Sequence, residues 1–167
     1  MKITAFLMRF AAVLVCAVML VSCSAEPTGD PFLPFRGEPK AEISLVFGGQ
    51  RSEFSYSMGT VSFKAPNELV GYSMFLSEGK VCIGYGELSF NVSSRAGRLL
   101  YLCESVFSPK GAVSVTAEKS GNKTFTAVKT EAYVYVFSSD GMPTSVSGTF
   151  DGEDFEMRFV GFTVDGE

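Results

Sequence analysis

From about Ala41 onward, apolar residues recur at every second position, a period that restricts the chain to strands with one face buried. Ile43, Leu45 and Phe47 alternate with polar neighbours before a Gly48-Gly49 turn. The run from Phe54 to Phe63 also alternates but changes parity at Gly59, which predicts a bulge or sharp bend in a curved sheet. Pro66-Asn67 then breaks the pattern. Strands over Leu69–Leu76, Lys80–Tyr85 and Glu87–Val92 follow, separated by Glu78-Gly79 and Gly86. A second group is predicted over Ala112–Glu118, Lys123–Thr130, Glu131–Phe137, Thr144–Phe150 and Glu153–Val164. Its turns are marked by Gly121-Asn122, Asp140-Gly141 and Asp151-Gly152, the last suited to a two-residue hairpin with positive φ at both positions.

Between the two groups the period changes. Arg95–Phe107 places Leu99, Leu100, Cys103, Val106 and Phe107 along one helical stripe, and Pro109 and Gly111 end it. Nine or ten strands with one helix predict a mainly β fold: a single, strongly curved antiparallel sheet wrapped on that helix.

The chain's beginning reads as an address. Lys2 and Arg9 precede twelve apolar residues, Phe10 to Val21, in the order of a secretory n-region and h-region. A spanning helix needs about 20. Leu20-Val21-Ser22-Cys23 then resembles the bacterial lipobox, in which cleavage before the Cys leaves a sulfur that carries a diacylglyceryl group. The expected organisation is a lipoprotein signal peptide over 1–22, a lipidated Cys23 with a Pro-rich tether over 23–40, and a β domain over 41–167. The tether holds four of the seven prolines and favours extended backbone, although Phe32, Leu33 and Phe35 offer docking groups. Without the leader the charge is 12 basic against 18 acidic residues, so acyl chains rather than the protein surface supply the membrane anchor. The expected location is the extracytoplasmic side of the cell membrane, or the outer membrane where the organism has one.

The composition excludes several functions. There is no histidine, which removes His-based acid–base catalysis and His-ligated metals. The excess of acid argues against a nucleic-acid partner. The serines have neither a Gly-x-Ser-x-Gly elbow nor an evident base, so no enzyme is expected. Gly84-Tyr85-Gly86 reads as a strand turn, and Asp151, Glu153, Asp154 and Glu156 read as a solvated hairpin tip without a calcium loop. No cofactor is implied. Export permits a Cys82–Cys103 disulfide, but strand parity and the helix stripe send the two to different layers, so buried thiols are expected.

Gly59 to Leu69, with its Lys64-Ala65-Pro66-Asn67 turn, followed by Tyr72 and Ser77-Glu78-Gly79-Lys80-Val81, resembles the lipoprotein-localisation carriers, the LolA/LolB-like family. Phe137 to Pro143 and its hairpin are similar to that family's C-terminal meander. The resemblance implies an unclosed β-barrel, or half-barrel, whose concave face is covered by helices and holds acyl chains in an apolar cavity. This chain departs from the family at Val70, where the carriers have an Arg, and in lacking both Trp and an obvious N-terminal helix.

Alternation alone puts Phe63, Met74, Val81, Ile83, Leu88, Phe90, Val134, Phe155, Met157 and Phe159 on the inward side. Candidate ligand-binding residues are Phe63, Met74, Ile83, Phe90, Leu99, Cys103, Phe107 and Met157. Such side chains line an adaptable pocket or fill a solid core. Two functions lead: a non-catalytic, membrane-anchored lipoprotein that binds an acyl chain or another apolar ligand, and an envelope interaction or sensing module with a filled core and a protein partner; a small hydrolase is a distant third.

Overall fold

The computed structural model describes residues 29–93 and 97–165. The leader, Cys23 and Arg95 lie outside the described residues. From Pro31 onward the chain forms one compact unit.

Eleven strands make one antiparallel sheet: β1 (Glu38–Phe47), β2 (Gln50–Ser57), β3 (Thr60–Ala65), β4 (Tyr72–Ser77), β5 (Lys80–Tyr85), β6 (Leu88–Asn91), β7 (Ser114–Ser120), β8 (Lys123–Lys129), β9 (Tyr133–Phe137), β10 (Pro143–Phe150) and β11 (Glu153–Asp165). Their spatial order is β6-β5-β4-β3-β2-β1-β11-β10-β9-β8-β7. The chain thus steps outward from β1 to one edge, passes to the opposite edge, and steps back until β11 pairs with β1. The sheet does not close, because β6 and β7 are its two edges. Register shifts at Glu42/Ile43, Glu53/Phe54 and Pro143/Ser145 insert extra residues, and each adds bend and twist.

The edge-to-edge passage carries helix α1 (Arg98–Val106). Leu100, Leu102, Cys103 and Val106 are fully buried. At 100° per residue they cover an arc of about 160°, wide enough to be enclosed by a curved sheet. Burial of each large side chain stabilises by roughly 1.5–3 kcal/mol over leaving it exposed. Gly97 at the helix start is sterically required, since a Cβ there would lie 2.6 Å from a Val81 methyl. At the same end the Arg98 guanidinium pairs with Asp151 and Glu153, both at 2.9 Å, and sits over the Phe47 ring. The β10–β11 turn is thereby tied to the helix.

Several sequence expectations change in detail. The parity switch at Gly59 is a two-residue hairpin turn rather than a bulge, with positive φ at Met58 (48°) and Gly59 (73°). The strand expected from Leu69 starts at Tyr72, because a 3-10 turn (Asn67–Leu69) and Gly71 at φ 90° reverse the chain first. Val134 lies on the convex face, since it alternates with the buried Tyr133 and Tyr135. The Pro-rich segment enters the fold before residue 41. Phe32 and Phe35 are buried around a 3-10 turn (Leu33–Phe35), while Leu33 points outward, and Glu38 opens β1.

Candidate functional site

Directly opposed residues of an antiparallel pair share a face. In the outer strands, Met74 faces Ile83 and Ile83 faces Phe90, while Tyr72 faces Tyr85 and Tyr85 faces Leu88. These two rows occupy the concave side, because Met74 and Val81 on that side are buried in the core. Cover fails towards the edge. Tyr72, Tyr85, Phe90 and Leu88 are 37%, 53%, 59% and 61% exposed, and Leu76 is exposed beside them. A nine-residue helix is only about 13 Å long, too short to roof an eleven-stranded sheet. The result is an open apolar surface on the β4–β6 wing.

Its geometry is fixed from below. The Tyr72 and Tyr85 rings lie 4.8 Å apart, and the Tyr85 ring rests on Gly71, where a Cβ would approach it to 3.0 Å. Gly71 therefore supplies both a positive φ and the room for that ring. The convex side of the wing carries Ser73, Ser77, Lys80, Ser89 and Asn91, with the half-buried Phe75 opposite the buried Cys82 among them, so the concave face is the more apolar of the two and is the one that stays exposed.

The residues singled out from sequence divide into two groups. Phe63, Met74, Cys103, Phe107 and Met157 are core: Cys103 and Met157 have no exposed surface, and Phe107 stacks on Tyr56 at 4.2 Å. They fill the middle of the concavity. Ile83, Leu99 and Phe90 retain accessible surface, and Ile83 and Phe90 sit side by side on the open wing. Alternation finds the face of Phe90 but not its exposure. Tyr72 and Tyr85 were legible as members of the same rows and belong with them.

Cys82 and Cys103 are both free thiols. Cys82 alternates out of the concave row, with its sulfur 3.1 Å from the Asn91 side-chain oxygen. Cys103 faces the core, where burial and then the neighbouring Glu104 push its thiol far above the usual range. In the folded chain Ellman's reagent should leave both unmodified at pH 8, with both reacting in denaturant, as counted by peptide mass. Rapid native reaction at Cys103 would contradict the packing.

A second hollow, about 720 Å³, lies between α1, the loop after it and β9, bounded by Tyr101, Glu104, Thr130, Tyr133 and Tyr135. Its walls bond to one another. The Ser105 and Tyr133 hydroxyls are 2.8 Å apart, Tyr135 donates to the Val106 carbonyl, and Thr130 donates to the Tyr133 carbonyl while accepting from two amides. Desolvation raises the Glu104 carboxyl above its ordinary range. Its wall mixes the rings of Tyr101, Tyr133 and Tyr135 with the Glu104 carboxyl and these bonded hydroxyls, a less uniformly apolar surface than the β4–β6 wing.

The sequence matches no protein-family model and no curated protein. Among solved structures it is similar to a domain described as an outer membrane lipoprotein-sorting protein from Vibrio parahaemolyticus, at 8% identity and TM-score 0.37 over 77% of this chain and 86% of that one. It is also similar to a conserved protein from Thermus thermophilus, at 12% identity and TM-score 0.44 over 83% and 85%. A LolA superfamily protein from Nitrosomonas europaea aligns at 6% identity and TM-score 0.32 over 79% and 88%.

Proposed function

We propose that this chain is an exported lipoprotein, anchored through Cys23 after removal of residues 1–22, whose half-barrel holds an acyl chain or another apolar ligand on the open wing. Of the segment expected as a tether over 23–40, the part before Phe32 is then the linker, since Phe32 and Phe35 are buried and Glu38 opens β1. The supporting observation is the apolar surface of Tyr72, Leu76, Tyr85, Leu88 and Phe90 on the concave side. A contiguous apolar patch of large side chains costs solubility unless something covers it. Its concavity suits a flexible chain laid along the rows. The protein acts by binding, not by catalysis.

The test uses exposed positions, so folding is preserved. Leu88→Glu with Phe90→Glu should abolish enhancement of an apolar fluorescent probe and remove any lipid that co-purifies in native mass spectrometry, while thermal stability moves by only a few degrees. Unchanged probe binding would remove the wing from the function. Cys23→Ser addresses the anchor separately, and the expected result is loss from the membrane fraction.

The filled centre of the concavity, with Met157, Cys103 and Leu100 fully buried, favours a second reading: an envelope interaction module with the same wing used for a protein partner. A probe-silent, lipid-free wild-type chain would select it.

A further inference from the structure

We propose that the β7–β8 hairpin, with the loop before it, is the membrane-facing side of the domain and lies against anionic phospholipid headgroups. The proposal rests on the lipid-anchor reading for its setting, and on charge and geometry for its content. Residues 110–131 carry Lys110, Lys119, Lys123 and Lys129 against Glu118 and Glu131, a local net of +2 in a chain of net −4. Among the described residues none of these lysines makes an ion pair, whereas Arg51, Lys64, Arg98 and Arg158 all do. All of β7 is exposed, and it forms the free edge of the sheet.

The lysines sit at both ends of the hairpin. Lys119 and Lys123 flank the turn, where Ser120 pairs with Lys123, and Lys129 pairs with Ser114 at the other end, with Lys110 just upstream. A seven-residue pair is about 23 Å long, so edge-on contact lets both ends reach one planar surface. Exposed Val113 sits at the Lys129 end; Lys119 shares the face of Val115 and the buried Val128 while Lys123 and Lys129 take the opposite face, so it is the hairpin's edge and not either face that gathers the charge. The attachment point agrees. Phe32 seats against Tyr135 and Phe137 of β9, which pairs with β8, so the chain enters the fold beside this wing. From Cys23 to Pro31 the backbone reaches at most about 28 Å, which keeps the domain near the bilayer. The net negative charge of the whole chain concealed this segregation.

Vesicle flotation tests it on the unlipidated chain from Ser24 onward, which keeps every described residue. Binding is expected to vesicles with roughly one-third phosphatidylglycerol at 50 mM salt, to fall steeply by 300 mM, and to be absent on pure phosphatidylcholine. Lys119→Gln with Lys123→Gln should weaken it roughly 30-fold, while Lys64→Gln with Lys80→Gln on the other wing leaves it within about twofold. Equal binding to both vesicle types, no binding, or an unaffected Lys119/Lys123 variant overturns the proposal. So does a salt-sensitive dimer by light scattering that the same variant abolishes, since a second copy is then the occupant. Membrane release of the Cys23→Ser protein in cells is read independently, so failure of the anchor and failure of this surface remain distinct.

Discussion

Phe107→Ala should destabilise the domain by roughly 3–5 kcal/mol, the cost of deleting a buried ring from a core that cannot collapse around the gap. Phe107 ends the helix and joins four rings: it stacks on Tyr56 and lies 5.7, 5.8 and 6.2 Å from Phe35, Phe159 and Phe162. Those partners come from β2, β11 and the strap before β1, so one side chain fastens helix, sheet centre and N-terminal segment. Against a total stability of about 5–15 kcal/mol the loss is large, and the melting temperature should fall by roughly 10–20 °C. The matched control is Phe90→Ala on the open wing, expected within about 0.5 kcal/mol of the parent. Both phenylalanines read as inward from sequence. Urea unfolding midpoints compare them directly, and a near-neutral Phe107 variant would mean that the helix end is not seated on the sheet.

That contrast shows what a sequence of this kind carries. Period-two alternation assigns faces, and it placed Met74, Ile83 and Phe90 together, as the register confirms. It says nothing about cover. Whether an inward face is roofed depends on how far a nine-residue helix reaches, a tertiary fact with no local signature. Gly59 shows a related limit. A bulge and a tight hairpin turn both reverse parity, and only the pairing of Ser57 with Thr60 distinguishes them. Turn chemistry was more informative at Asp151-Gly152, where φ values of 52° and 81° match the expected two-residue hairpin. The N-terminal segment was hardest to read. Its prolines predict an extended tether, yet Pro34 lies inside a 3-10 turn and Pro39 inside β1, and the aromatic seat for Phe32 and Phe35 is built from residues about a hundred positions later.

Removing that seat should show the strap to be cooperative. Phe32 packs edge-on against Tyr135 at 5.1 Å, and Phe35 meets Phe107, Tyr135, Phe137, Phe159 and Phe162 within 6.3 Å. Two buried phenyl groups contribute roughly 3–6 kcal/mol together. Ordering the seven residues from Pro31 to Gly37 costs about 1 kcal/mol each, so burial alone roughly balances, and the ring-pair energies of about 0.5–1.5 kcal/mol each hold the strap down. Among the described residues, backbone bonds within the strap run from the Phe35 amide to the Phe32 carbonyl and from the Arg36 amide to the Leu33 carbonyl. Loss of either phenyl then tips the balance and releases the whole segment. Phe35→Ala should therefore cost roughly 3 kcal/mol, and adding Phe32→Ala should cost less than about 1 kcal/mol more, a strongly non-additive pair. Both variants should gain a protease-sensitive site before Glu38 and bind more of an apolar fluorescent probe through the uncovered Tyr135, Phe137 and Phe162. Fully additive losses with an intact strap would show instead that the two rings are independent core residues, and that the N-terminal segment is bound as rigidly as the strands it lies upon.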